Sequence, residues 1–366
     1  MNLKNKILFI ALLFISISST ANDVSKKTTL YQYWGRVEHL ENGNVVLIGA
    51  SSSITFEFSD ENIEVFLQSG NGSEHRNYVS FELDGVNLGR FVIQKDGVNT
   101  IPIKTTKKQA VHRLTIYKAT EASSGAIVFS GTTAHLKKFK AQKKKKVEFI
   151  GDSITCGFGN DASLYPCGEG EWYDQHNAYM SYGPQLARDL DFDYVLSSVS
   201  GIGIYRNWNE EQENEAVMSD VYENLHLNKD KSKPYNFDFQ PDLVSICLGT
   251  NDLSDGDGKK ERRPFNEDKF VNNYIEFIKT VYVHAPKSRI VLLNSPMISG
   301  DRNAILVRCL NRVAAAFAND KKHLPIAVHL FTEMKPGGCG SHPTIADDTV
   351  MANQLTAVFK ELLHKK

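Results

Sequence analysis

The chain has 366 residues, 41% hydrophobic and 23% charged, more than one small core organises, so two domains are expected. A formal net charge of −1 argues against a nucleic-acid binder, which would be basic overall or along one face. No internal apolar run reaches the roughly eighteen residues that span a bilayer. At the start of the chain, Lys4 and Lys6 precede an apolar run over 7–15, and small residues follow, ending Ser19-Thr20-Ala21. That order is the pattern of a secretory leader, residues 1–21, cleaved after Ala21, which makes the mature protein exported, either periplasmic or secreted.

Residues 22–141 read as short strands separated by Gly and Asn turns. Val45-Val46-Leu47-Ile48 follows the turn Asn42-Gly43-Asn44. Ser53-Ile54-Thr55-Phe56-Glu57-Phe58, Tyr78-Val79-Ser80-Phe81-Glu82-Leu83 and His112-Arg113-Leu114-Thr115-Ile116-Tyr117 each alternate polar and apolar. The pattern predicts an antiparallel β-sandwich, jelly-roll-like, with no cluster of catalytic residue types. His39, His75, His112 and His135 are scattered and read as surface or ladder residues. Residues 137–146 hold seven lysines in ten and are expected to be a solvated connector.

From 147 to 366 the rhythm becomes strand, loop, helix. Helical spacing joins Phe270, Tyr274, Phe277, Ile278 and Val281, and again Leu306, Leu310, Val313 and Phe317. Apolar runs at 243–248, 289–293 and 326–331 alternate little, which predicts a parallel sheet buried by helices on both faces. In that α/β architecture the site lies at the carboxyl ends of the strands. Four stretches fall there: Gly151-Asp152-Ser153, Ser198-Val199-Ser200-Gly201-Ile202-Gly203, Gly249-Thr250-Asn251-Asp252 and His342-Pro343. A hydroxyl, a glycine N–H, an amide side chain and an imidazole make the inventory for acyl transfer, with helical residues after Ser153 adding a partly positive end.

These four ordered blocks resemble those of the SGNH (GDSL-type) hydrolases. With a β-sandwich ahead of them, the chain is most similar to carbohydrate esterase family 2, acetyl esterases of plant polysaccharides. The phrases Gly201-Ile202-Gly203-Ile204-Tyr205-Arg206-Asn207 and Lys118-Ala119-Thr120-Glu121-Ala122 add to the likeness. The resemblance implies Ser153 as nucleophile, His342 as its base, and an oxyanion hole from Ser153 N–H, Gly201 N–H and the Asn251 amide, with no cofactor. Asp152 and Asp252 would support these loops; Tyr205, Arg206, Trp208 and Trp172 are candidate sugar contacts. The expected substrate is acetylated carbohydrate, and no protein partner is evident. Two other readings stay open: a lipase, lysophospholipase or thioesterase on the same machinery, and a carbohydrate-binding protein whose hydrolase half has decayed.

One position departs from the wider superfamily, which places an Asp two or three residues before the His. Here Gly340 and Cys339 stand there. The resemblance implies a Ser–His dyad as one solution, since some members of the resembled family have the ring held by a backbone carbonyl. Asp347, Asp348 and Glu333 are substitutes, although Thr344-Ile345-Ala346-Asp347 reads as a helix cap. Gly157-Phe158-Gly159-Asn160-Asp161-Ala162 matches a dinucleotide fingerprint in letters, but it starts too far past its strand. The five cysteines of an exported chain allow two disulfides. Cys156–Cys167 and Cys309–Cys339 are the expected pairs, with Cys247 buried and free. Neither CxxC nor HExxH occurs, so no metal site is expected. His176, His226, His284, His323, His329 and His364 occupy no motif and read as structural.

Overall fold

The structure is a computed structural model and describes residues 28–70, 75–106, 108–210, 214–230 and 232–364. The leader read over 1–21 lies outside the described residues.

The N-terminal half is a sandwich of two antiparallel sheets. One orders Leu136–Lys137, Ser53–Phe58, His112–Lys118, Asn77–Leu83 and Val86–Ile93, with Gln32–Trp34 also on Ser53–Phe58; the other orders Val37–His39, Val45–Leu47, Ile127–Thr132, Asn62–Ser69 and Asn99–Lys104. Register pairs Leu114 with Phe56 and Ile116 with Ile54, so the apolar members of each alternation share one fully buried core. The opposite face is buried too, which alternation alone does not suggest. Ser53 and Thr55 are buried, and Tyr117 lies 4.9 Å from Tyr179 and 6.4 Å from Tyr194 of the second domain. Ser51 Oγ and Tyr194 OH are hydrogen-bonded at 2.8 Å.

The lysine run is more structured than a connector. Leu136–Lys137 and Phe139–Lys140 are short strands, and Lys144, Lys145 and Lys146 reach Asp191, Asp242 and the Phe239 carbonyl. Arg36, wholly buried, crosses between domains and donates to the Tyr222 carbonyl at 2.8 Å and to Ser197 Oγ at 3.1 Å.

The second domain has five parallel strands: β1 (Lys146–Gly151), β2 (Asp193–Ser198), β3 (Leu243–Cys247), β4 (Arg289–Leu293) and β5 (Ala327–His329), in the order β2-β1-β3-β4-β5. Helices α3 (Glu267–His284) and α4 (Gly300–Ala316) cover one face through Phe270, Phe277, Leu306 and Leu310. Helices α2 (Tyr182–Leu190) and α5 (Ile345–His364) cover the other through Tyr182, Leu186, Leu355 and Phe359. This doubly wound order reverses direction between β1 and β3, and a crevice opens at the carboxyl ends of those two strands. The turn after β1 leads into α1 (Ser153–Cys156), a single helical turn. Among the described residues no helix is long and apolar enough to cross a membrane.

The disulfide expectation is corrected. Cys167 bonds to Cys339, while Cys156, Cys247 and Cys309 are buried and free. Cys309 belongs to the apolar stripe of α4 with Leu306, Leu310 and Val313, and Cys156 turns inward beside Glu121. Neither has a thiol facing the cysteine assigned to it.

Candidate active site

Gly151 ends β1 without a side chain because a Cβ there would meet Thr155 Oγ1 at 2.1 Å and the Cys247 carbonyl oxygen at 3.0 Å. Asp152 then caps α1, accepting the Ile154 N–H at 3.1 Å. Among the described residues the Ser153 N–H, at the first position of that turn, has no acceptor. Beyond the end of β2, Gly201 adopts φ +77°, and its N–H also has no acceptor among the described residues. Two donors of the expected oxyanion hole are therefore open.

His342 follows a short turn, Cys339–Ser341, whose Gly340 sits at φ +61°. Its Nε2 lies 2.8 Å from Ser153 Oγ, across 189 residues of sequence. Its Nδ1 lies 3.0 Å from the Gly340 carbonyl oxygen. A carbonyl only accepts, so Nδ1 carries the proton, and Nε2 is the lone pair facing the serine hydroxyl. Phe158 lies against the imidazole with ring centres 4.4 Å apart. The turn itself is fixed by Cys339 N–H to the Gly159 carbonyl (2.9 Å), by Gly338 N–H to the His342 carbonyl (2.8 Å), and by the Cys167–Cys339 disulfide.

None of the substitute acids reaches the ring. Asp347 and Thr344 form the reciprocal cap of α5, with Thr344 N–H to Asp347 Oδ2 at 2.9 Å and Asp347 N–H to Thr344 Oγ1 at 3.1 Å. Asp348 is buried and accepts from Tyr182 N–H and Asn160. Glu333 is exposed and away from the cavity. Burial pushes the His342 pKa down to about 4, opposed by the backbone bonds of Gly340 and Cys339.

Asn251 is brought to the same rim, but both its amide hydrogens are engaged, with the Ile202 carbonyl at 2.8 Å and Asp152 Oδ2 at 3.2 Å. Asp252 is buried and gathers the N–H groups of Tyr205 (2.9 Å), Ile204 (3.0 Å) and Arg206 (3.2 Å), which holds the Gly201 loop in shape. Burial raises Asp152 to about 7 and Asp252 to about 6. Both carboxylates thus bond to groups of the loops.

Ser153, Gly201, Asn251 and His342 line one cavity of about 920 Å³. Trp172 and Trp208 line it as well, each nearly half exposed. Tyr205 and Arg206, named as candidate sugar contacts, do not line it. The Tyr205 ring packs on Phe265 and Phe270, and buried Arg206 donates to the Asp252 carbonyl at 2.6 Å. Residues not anticipated also face the cavity: Met297 and Ile298 after β4, Arg302 of α4, and Glu121 and Ser123 from the sandwich. The first two were accessible to the strand-end rule. Glu121 lies inside a phrase noted for its resemblance, but no local pattern puts a sandwich residue in a cavity of the other domain. The loop carrying Trp172 and Cys167 is likewise held by the sandwich: Arg76 pairs with Asp174, the Tyr78 hydroxyl donates to Asp174 at 2.6 Å, and Arg90 donates to the Asp174 carbonyl at 2.6 Å.

A serine and a histidine hydrogen-bonded over open backbone amides, at the switch point of a doubly wound sheet, define the layout of a serine-type hydrolase. A profile of the GDSL-like Lipase/Acylhydrolase family matches residues 149–349, and one described as Carbohydrate esterase 2 N-terminal matches 33–142. An acetylxylan esterase/glucomannan deacetylase of Cellvibrio japonicus is 31% identical over 271 residues, 72% of this chain and 73% of the relative. The cellulase/esterase CelE of Acetivibrio thermocellus is 29% identical over 351 residues, 90% of this chain but 39% of that protein. A family two carbohydrate esterase from Clostridium thermocellum, solved with cellohexaose, superposes with TM-score 0.78 at 26% identity, covering 90% of this chain and 98% of that one. The chain belongs to the GDSL-like lipase/acylhydrolase family, in the two-domain form of carbohydrate esterase family 2, and is a carboxylic ester hydrolase.

Proposed function

We propose that this chain is an exported esterase that removes O-acetyl groups from plant-type polysaccharides or oligosaccharides. The observation that carries it is the 2.8 Å contact between Ser153 Oγ and a His342 whose tautomer the Gly340 carbonyl sets. Ser153 attacks the acetyl carbonyl as its proton passes to Nε2. Negative charge develops on the carbonyl oxygen and meets the N–H groups of Ser153 and Gly201; Asn251 joins them by releasing its longer bond, to Asp152. The sugar hydroxyl leaves with the proton from Nε2, and water, deprotonated by the same nitrogen, frees acetate. The dyad needs no carboxylate at position 340. The names of the relatives favour acetylated xylan or glucomannan, and Trp172 and Trp208 offer flat faces to a sugar ring. Export rests on the leader pattern at 1–21.

The test is NMR product analysis on defined acetylated xylo- and manno-oligosaccharides, run beside a lysophospholipid and an acyl thioester, with Ser153→Ala as control. Acetate release dependent on Ser153 is expected. Turnover confined to long acyl chains would replace the reading with a lipase, and an inert wild type that still binds glycan would replace it with a binding protein.

Because the base works only as neutral imidazole, activity is lost as pH falls through the His342 pKa. That value is lowered by burial to about 4, so the acid limb of kcat/KM should lie well below the ordinary histidine value near 6.5. A pH–rate profile with its acid limb at the ordinary value would contradict this. Gly340→Asp should move the limb the other way. A Cβ there stands 3.5 Å from Nδ1, Asp tolerates φ +61° better than most residues, and a carboxylate beside the ring favours imidazolium.

The disulfide should matter to rate as well as to stability. Cys167→Ser frees the turn that aims His342, and kcat is expected to fall about tenfold through misplacement of the base. Stability should drop by roughly 2–4 kcal/mol, since the bridge closes a long loop. Denaturant melts together with kinetics taken well below the transition separate the two effects; unchanged kcat would remove the positioning role.

A further inference from the structure

Glu121 belongs to the sandwich, yet its side chain ends between the two backbone segments that hold the oxyanion donors. It directly follows the turn after the strand His112–Lys118 and is 1% exposed. Oε2 accepts the Ser200 N–H at 2.7 Å, one residue before Gly201. The same oxygen lies 2.9 Å from Cys156 Sγ, on the turn that begins at Ser153. Oε1 takes the Ser123 hydroxyl. The backbone that carries it is held in place. Lys118 Nζ donates to the Thr120 and Glu121 carbonyls at 2.9 and 2.6 Å, and Ala178 N–H donates to the Ala119 carbonyl at 2.8 Å.

We propose that Glu121 is a positioning residue for the esterase reaction: one carboxylate oxygen sets the spacing between the Ser153 turn and the Ser200–Gly201 loop, so the sandwich completes the oxyanion hole of the other domain. The proposal rests on the reading of Ser153 as nucleophile and Gly201 as donor. The physical reason is that α1 is one turn long and the Gly201 loop has no regular structure. Besides Glu121 they are joined by the 3.2 Å Cys156–Ser198 contact and by Asn251, which bonds both Asp152 and the Ile202 carbonyl, and Glu121 adds a carboxylate acceptor to those ties. A carboxylate close to a developing oxyanion would repel it. Here both its oxygens are turned into hydrogen bonds, and its work is done by acceptor position.

The test compares wild type, Glu121→Met, Glu121→Asp and Glu121→Gln in the full chain. The readouts are kcat and KM on an aryl acetate, thermal melting, and the rate at which a fluorophosphonate labels Ser153. Glu121→Met fills the volume without an acceptor and should lower both kcat and labelling about 100-fold with KM within about twofold. Glu121→Gln keeps an acceptor toward Ser200 and should recover to within about fivefold of wild type. Glu121→Asp withdraws the oxygens by one methylene and should fall about tenfold, and it serves if the methionine variant does not fold. Labelling and kcat of the folded Met or Asp variant matching wild type would overturn the proposal, as would losses seen only in KM. A wild type that labels without hydrolysing acetate esters sinks the deacetylase reading, and the labelling rates still decide the role of Glu121. A wild type that neither labels nor hydrolyses removes both.

Discussion

Ser153→Ala is expected to lower kcat/KM for aryl acetate by about 10⁴-fold or more, His342→Ala by a comparable factor, and the double variant no further. The reason is that the two side chains perform one act. The serine hydroxyl is a poor nucleophile until its proton has a destination, and Nε2 at 2.8 Å is that destination. Once either partner is gone the other has nothing to do, so the losses overlap instead of adding. Ser153 is held by backbone at the start of a capped turn, and its hydroxyl fills no core, so the melting temperature should stay within a few degrees, as roughly expected away from core and network features. Additive losses in the double variant would mean that the pair does not act as a unit, and a further base would have to be sought around the cavity.

Asn251→Ala should cost about 10² to 10³ in kcat, the usual scale for one oxyanion donor. The structure makes this a sharper prediction than an open amide would. Asn251 Nδ2 donates to the Ile202 carbonyl and, at 3.2 Å, to Asp152. A purely supporting role would therefore be visible as lower thermal stability and altered KM, because the Ile202 loop and Asp152 would lose a donor. A donor role lowers kcat and kcat/KM together, because the interaction exists only in the transition state. Burial lifts the Asp152 carboxyl to about 7, so it is partly protonated near neutrality and competes weakly for that hydrogen. Measuring kcat, KM and melting for Asn251→Ala separates the roles. A variant with wild-type kcat and a depressed melting point would assign Asn251 to the loop.

Much of the architecture was legible before any coordinate. The alternation at 53–58 became the strand Ser53–Phe58, and the apolar run at 289–293 became β4. The spacing from Phe270 to Val281 became the core face of α3, because a 3.6-residue period needs only local information. The motif residues were legible for a related reason: in a parallel sheet every strand end opens on the same rim, so residues after several strands converge without being near in sequence. Tyr205 and Arg206 stand outside the cavity lining because the motif phrase they sit in shapes the loop through Asp252.

The order of residues thus dictated the elements, the rim and the chemistry offered there, since periodicity and strand-end convergence are properties of short stretches. Tertiary packing alone chose the partner of Cys339, which lies 172 residues away, and put Glu121 between the two loops. It also buried the polar face of the sandwich and gave the imidazole a carbonyl in place of an acid. Each of those depends on distances between segments far apart in the chain, and such distances are set only when the two domains close on one another.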